Sequence, residues 1–91
     1  MKKIDSGCTL TLGTSAQTVR VSGLAFLVQN NSDSASVYMK ERRADGEDVT
    51  AENGWRIAPG ECTPIPFTAL DLSLAASAAG TDVRVLLLDE L

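Results

Sequence analysis

The sequence has no histidine and few aromatic residues. Without histidine the chain lacks the commonest general base and a favoured zinc ligand. Its aromatic residues are only Phe26, Tyr38, Trp55 and Phe67. A core in this chain of 91 residues must therefore be thin and built mainly from aliphatic side chains, and oligomerisation would help to stabilise it.

Basic residues and long apolar runs are also scarce. Eight Lys and Arg residues face twelve Asp and Glu residues, for a net charge of −4. That balance argues against a nucleic-acid partner, because phosphate binding needs a basic patch. No apolar run approaches the ~20 residues of a membrane span, and Asp5-Ser6-Gly7 stands where a signal peptide would be apolar. We expect a protein made in the cytoplasm that does not bind membranes.

Cys8 and Cys62 are the only cysteines. A bridge between them would close a loop of about 55 residues. Since no secretion signal precedes them, we predict two buried, apolar thiols instead. Two cysteines without histidine do not make a zinc site, so no metal or other cofactor is expected.

Short segments of alternating apolar and polar residues are separated by turn-forming residues. About seven or eight such segments, spaced roughly ten residues apart, are typical of a sandwich or small barrel. We therefore predict an all-β fold, a single antiparallel β-sandwich or barrel of jelly-roll or immunoglobulin-like type, over residues 1–91. The clearest strands are 9–12, 18–21, 24–28, 35–40, 70–74 and 83–88.

Several local predictions follow from composition. Residues 24–28 are wholly apolar, as in a strand buried on both faces, and 24–29 with 35–40 read as a central hairpin. The prolines of 62–67 predict an edge strand or an extended arm that ends at Phe67. Residues 72–79 are rich in alanine and fit a short helix, but alternation favours a strand.

Two turn signals enclose the only tryptophan. Asn53-Gly54 predicts a tight hairpin turn, and Pro59-Gly60 predicts a second turn. Between them Trp55 is either a cap on the core or an anchor of a protein interface, and the shortage of aromatics favours the core cap.

No group of residues indicates catalysis. The chain has neither a glycine-rich phosphate loop nor a nucleophile elbow, and residues 45–48 lack the spacing of an EF-hand calcium loop. Arg42 and Arg43 could grip an acidic partner, but the acids around them favour a solvated loop of mixed charge over 41–48. The last strand is apolar on both faces, so burial within the fold competes with coverage by a partner. The candidate interface residues are Arg42, Arg43, Trp55, Phe67, Leu86 and Leu88.

Several motifs occur in a fixed order along the chain: an apolar strand ending in Gln29-Asn30, then Val37-Tyr38, then 53–61 with its aromatic and Pro-Gly-Glu turn, and a closing strand over 81–86. This order resembles that of the small β-sandwich structural proteins of tailed-bacteriophage virions. The likeness runs from about residue 10 to residue 88 and rests on strand and turn chemistry.

This resemblance implies a scaffold role without catalytic residues. A protein of this kind would be a capsid decoration or cement protein, or a related head component, located in the virion and often a trimer or other homo-oligomer. Its partners would be the major capsid protein or other virion proteins. The alternative is a carbohydrate- or receptor-binding tip or fibre module that uses Trp55 and the 41–48 loop.

Overall fold

Alternating burial along the strands determines the architecture. The computed structural model describes residues 2–4, 7–21, 25–42, 46–65 and 70–89. These residues form strands and turns, with no helix among them. The strands are β1 Lys2–Ile4, β2 Cys8–Leu12, β3 Gln17–Val21, β4 Ala25–Asn30, β5 Val37–Glu41, β6 Trp55–Ile57, β7 Cys62–Ile65, β8 Leu70–Ala76 and β9 Thr81–Asp89.

The strands form two sheets. Sheet A has the order β1-β3-β8-β5-β6, and sheet B has the order β2-β9-β4-β7. All pairs are antiparallel except β1 with β3, which is parallel. The predicted all-β sandwich is confirmed, with nine strands in the described residues where seven or eight were expected.

The core lies between the two sheets and is mainly aliphatic. Phe26 is the aromatic residue in the main buried cluster of the described residues. Sheet A contributes Ile4, Val19, Val21, Val37, Met39, Ile57, Leu72, Leu74 and Ala76, and sheet B contributes Leu10, Leu12, Phe26, Val28, Ile65, Val83 and Val85. On β5, Val37 and Met39 point into this core and alternate with the less buried Tyr38 and Lys40.

The predicted central hairpin is wrong. β4 pairs with β7 and β9 in sheet B, whereas β5 pairs with β6 and β8 in sheet A. The connection between them therefore crosses from one sheet to the other. The alternating pattern shows which face of a strand points inward. The pattern is the same whether the next strand of the chain lies in the same sheet or in the opposite sheet. β4 is also not buried on both faces, because alternate residues such as Leu27 are only half-buried.

Asn53-Gly54 does not form the predicted tight hairpin turn. The chain from Thr50 turns so that the Gly54 N–H donates to the Thr50 carbonyl at 3.1 Å. Residues 49–51 form no strand. β6 pairs with β5, and the long connection between these two strands contains this turn. Hydrogen bonds between the backbone N–H groups and the side-chain oxygens of Thr50 and Asn53 stabilise this turn instead.

The Pro59-Gly60 turn is confirmed. Gly60 has a φ of +79°, and the Glu61 N–H donates to the Ala58 carbonyl at 2.9 Å. This geometry fits a type II turn, which needs positive φ at its third residue. The turn carries the chain from β6 in sheet A to β7 at the edge of sheet B. The edge position predicted for the proline-containing segment is thus confirmed over Cys62–Ile65. The strand predicted at 70–74 is also confirmed, and it extends to Ala76 as β8.

The prediction of two buried thiols is wrong. Cys62 is exposed and Cys8 is partly buried, and both are free. They lie on β2 and β7, the opposite edges of sheet B. Three strand spacings of about 4.8 Å separate those edges, too far for the Cα separation of at most about 7 Å that a disulfide needs.

Candidate protein-binding surfaces

Trp55 lies on the surface. Its side chain is 65% exposed, at the start of the short edge strand β6. The favoured expectation that it caps the core is therefore wrong. The reason lies in its position: its neighbour in the sheet is Met39, which is buried, but β6 is the edge strand of sheet A in the part of the chain that the structure describes. An exposed indole beside exposed Arg56 leaves the role of interface anchor as a prediction.

The outer face of sheet B carries the other large exposed apolar side chain of the described residues. Leu86, on β9, is 55% exposed. It lies beside Leu27 of β4, which in turn lies beside Pro64 of β7. These three residues form an apolar row across the sheet, because residues in register on one face are direct neighbours.

An open depression of about 500 Å³ adjoins this row. Its floor is formed by β9 and β4, and its walls come from the two edge strands of sheet B. The lining is mixed in polarity and consists of Gly7, Cys8, Thr9, Leu27, Gln29, Cys62, Arg84, Val85 and Leu86. A shallow, open surface of this kind suits contact with another macromolecule better than enclosure of a small ligand.

The charged side chains of this face are paired within the chain. Arg84 donates to Asp82 at 2.9 Å, and Asn31 donates to the same carboxylate at 2.9 Å. The hydrogen bond from Arg84 is the main cause that lowers the pKa of Asp82, and the bond from Asn31 lowers it further. The same pairing raises the pKa of Arg84. Arg84 and Asp82 therefore form an exposed ion pair on the outer face.

A matching ion pair lies on the outer face of sheet A. Arg20 and Asp71 are directly opposed on β3 and β8, and their atoms Nε and Oδ1 are 2.7 Å apart. A second bond, from an Arg20 terminal nitrogen to Oδ2 at 3.2 Å, makes the contact bidentate. Hydrogen bonding from Arg20 lowers the pKa of Asp71.

The connection from β5 to β6 covers part of the outer face of sheet A. Val49 is buried there, and its N–H donates to the Ser73 hydroxyl at 3.0 Å. Ser73 points away from the core but is 0% exposed. The prediction of a solvated loop fits Glu47 and Asp48, which are exposed, but the segment that follows them packs down on the sheet.

Arg42 is engaged by its own chain. Its Nη1 lies 3.3 Å from Asp48 and donates to the Thr18 hydroxyl at 3.4 Å, while its Nε is buried without a hydrogen-bond partner among the described residues. Arg42 thus links the loop to sheet A, and an external acidic partner would have to compete with Asp48.

The six candidate interface residues do not form one surface. Trp55 and Arg42 belong to sheet A and its covering loop, whereas Leu86 belongs to sheet B. Arg43 and Phe67 lie outside the described residues, and the structure describes Leu88 only as a residue of β9. Their roles as interface residues remain predictions.

Leu27, Gln29 and Cys62 are surface residues that were not predicted from the sequence. Leu27 was expected to be buried because residues 24–28 are wholly apolar. Cys62 was expected to be buried because free thiols are usually buried. The detectable signal was alternation: Phe26, Val28 and Ile65 point inward, so their neighbours must point out.

Two further searches of the described residues gave negative results. No group of three or more Cys, Asp or Glu side chains is placed to hold a metal ion there. No helix in that part of the chain is long and apolar enough to span a membrane. Comparison of the chain with protein-family models, curated proteins and solved structures found no match.

Proposed function

We propose that this chain is a non-enzymatic structural protein of a tailed-bacteriophage virion. Its role is that of a capsid decoration or cement protein, or a related head component, which stabilises the particle through protein–protein contacts. The motif order from about residue 10 to residue 88 supports the proposal, because it resembles that of such proteins. A rigid sandwich with exposed apolar side chains on separate surfaces is compatible with that role.

The observation that carries the proposal is the open outer face of sheet B. Leu86, Leu27 and Pro64 form an apolar row there, next to a shallow depression. Apolar side chains surrounded by polar ones are typical of protein-binding surfaces. The partner we propose for this face is the major capsid protein or another virion protein.

The test is whether the protein is present in purified particles. We expect quantitative mass spectrometry of intact virions to detect it at a fixed copy number. Leu86→Ser should reduce its incorporation while leaving its folded circular dichroism spectrum unchanged. Glu47→Ser, a matched change on the exposed loop, should be incorporated normally. Absence of the protein from purified particles would overturn the proposal.

Exposed Trp55 favours a second candidate function, that of a carbohydrate- or receptor-binding tip module. An exposed indole offers a flat face on which a sugar ring can stack. Glycan-array binding that is lost in Trp55→Ala but kept in Leu86→Ser would support this function. Absence of binding to glycans and host cells would exclude it.

A further inference from the structure

β2 is the least protected sheet edge among the described strands. Sheet edges present unpaired N–H and C=O groups, and natural proteins protect them with short strands, charges or prolines. β1 and β6 have three residues each and carry exposed Lys3 and Arg56 respectively, and β7 contains Pro64. β2, with the sequence CTLTL, is five residues long and has none of these features.

The backbone groups of Thr9 and Thr11 point away from sheet B. The Thr11 carbonyl accepts a hydrogen bond from the Gln17 side chain at 3.3 Å. On β9, the Asp82 carbonyl accepts from Asn31 at 2.9 Å and so faces away from β2. The backbone N–H and C=O groups of successive residues point to opposite sides of a strand, so those of Val83 point toward Leu10 of β2. The backbone groups of the residues on either side of Leu10 therefore point away from β9.

We propose that β2 pairs antiparallel with β2 of a second copy, about a two-fold axis at Leu10. Thr9 then lies opposite Thr11 of the other copy, and each of these pairs exchanges N–H···O=C bonds in both directions. The outward N–H and C=O groups of this strand are placed symmetrically about Leu10. A single register therefore lets these groups form hydrogen bonds in both copies. Sheet B continues across the axis into the second copy.

The side chains on the outer face favour this occupant. Threonine opposite threonine is a favourable cross-strand pair. Thr9 lies beside Arg84 and Thr11 beside Asp82. The two-fold axis therefore places Arg84 of one copy three strand spacings, about 14 Å, from Asp82 of the other. Because these two residues already pair within each copy, they add no unpaired charge to the seam.

The Gln17 side chain competes with a second strand for the edge of β2. Its side-chain amide occupies the Thr11 carbonyl in the single chain and must leave when a second strand pairs there. Removal of the Gln17 amide frees the Thr11 carbonyl to accept a hydrogen bond from the second copy. This inference concerns self-association alone and does not depend on a role in a virion.

Sedimentation velocity over a concentration series tests the pairing. We expect a monomer–dimer equilibrium for the unaltered chain, and amide hydrogen exchange at Thr9 and Thr11 that slows as the dimer forms. Thr9→Lys, which puts a charge on the edge without touching the core, should weaken association by about tenfold or more. Gln17→Ala should strengthen it by several-fold.

Two controls make the test specific. Ser34→Lys adds the same charge at an exposed loop position and should leave association unchanged. Thr11→Pro removes an outward N–H and should also weaken association, with β9 pairing intact. The proposal is overturned if the protein remains monomeric at all concentrations, if it forms a trimer, or if Thr9→Lys associates as strongly as the unaltered chain.

Discussion

Asn30 is the residue on which the most polar contacts of the interior converge. Its side chain is 0% exposed. Its amide nitrogen donates to the carbonyls of Ala35 at 2.7 Å and Ile57 at 2.9 Å, and its side-chain oxygen accepts from the Ser32 N–H at 3.0 Å. Because Ile57 belongs to sheet A and Asn30 to sheet B, this one side chain ties the two sheets together.

Replacement of Asn30 by Asp should be strongly destabilising. The new carboxylate would face two carbonyl oxygens with no proton to donate, and it would be buried. We expect a loss of about 2–4 kcal/mol in the free energy of unfolding, measured by urea denaturation. Gln29→Glu makes the same chemical change on the outward side of the same strand and should cost much less. Equal stability of the two variants would contradict this account.

Gly54 is required by close packing. A Cβ at this position would lie 2.5 Å from Val49 Cγ2 and 3.0 Å from the Thr50 carbonyl oxygen. We expect Gly54→Ala to lower the thermal midpoint and to cost about 1–3 kcal/mol, because the covering loop must shift. Gly13→Ala is the control, since no heavy atom lies within 4 Å of its Cβ position. A Gly54→Ala protein as stable as Gly13→Ala would show that the loop adapts without cost.

At the scale of elements, the loop before β6 acts as a cover for sheet A. Val49 and the outward residues Ser73 and Ala75 are buried together there. Ser73→Ala should leave the Val49 N–H buried without a partner and cost about 1–3 kcal/mol. Hydrogen exchange at Val49 should accelerate more than exchange at Val37 in the core. If both amides changed equally, the loss would be global and the loop would not be a separate unit.

Individual strands could be predicted from sequence, but their partners could not. Alternation identified the inward residues of β5, and proline identified β7 as an edge. The hairpin predicted for β4 and β5 failed because a strand pattern carries no information about which sheet the strand joins. Asn30, whose side chain ties the two sheets together, stands in the sequence simply as the polar end of an apolar strand, and only its tertiary contacts distinguish it.

The candidate surfaces were predictable in part. Leu86 was identified because β9 is apolar on both faces, which is unusual for a strand with one face in solvent. Trp55 was expected to cap the core because the chain has few aromatics, but position at the edge of sheet A outweighed composition. The depression on sheet B could not be predicted, since it needs the strand order β2-β9-β4-β7.

For the whole molecule, stability should fall in acid. The pKa values of Asp71 and Asp82 are lowered in the folded state by hydrogen bonds from Arg20 and Arg84 respectively. A lowered folded-state pKa means that the stabilising contribution is complete above the unfolded pKa and is lost as pH falls through the folded one. We therefore expect the urea midpoint to decrease as the pH is lowered below about 4.

Variants separate this effect from general charge effects. Asp71→Asn combined with Asp82→Asn should flatten the acid limb of the curve more than Asp33→Asn combined with Glu47→Gln, which removes the same two charges at exposed positions. An acid limb that is identical in the two double variants would contradict the assignment. Between about pH 6 and 8 the curve should be nearly flat, because the chain has no histidine to titrate.

The position of β2 beside β9 has a consequence for synthesis on the ribosome. Cys8 and Val85 are paired although about 75 residues separate them in the chain. At 5–20 residues per second, roughly 4–15 s pass between the synthesis of the two strands. During that time Leu10 and Leu12 have no sheet to join, so this is the strand of the nascent chain that waits longest for its partner and has most need of protection from wrong pairing.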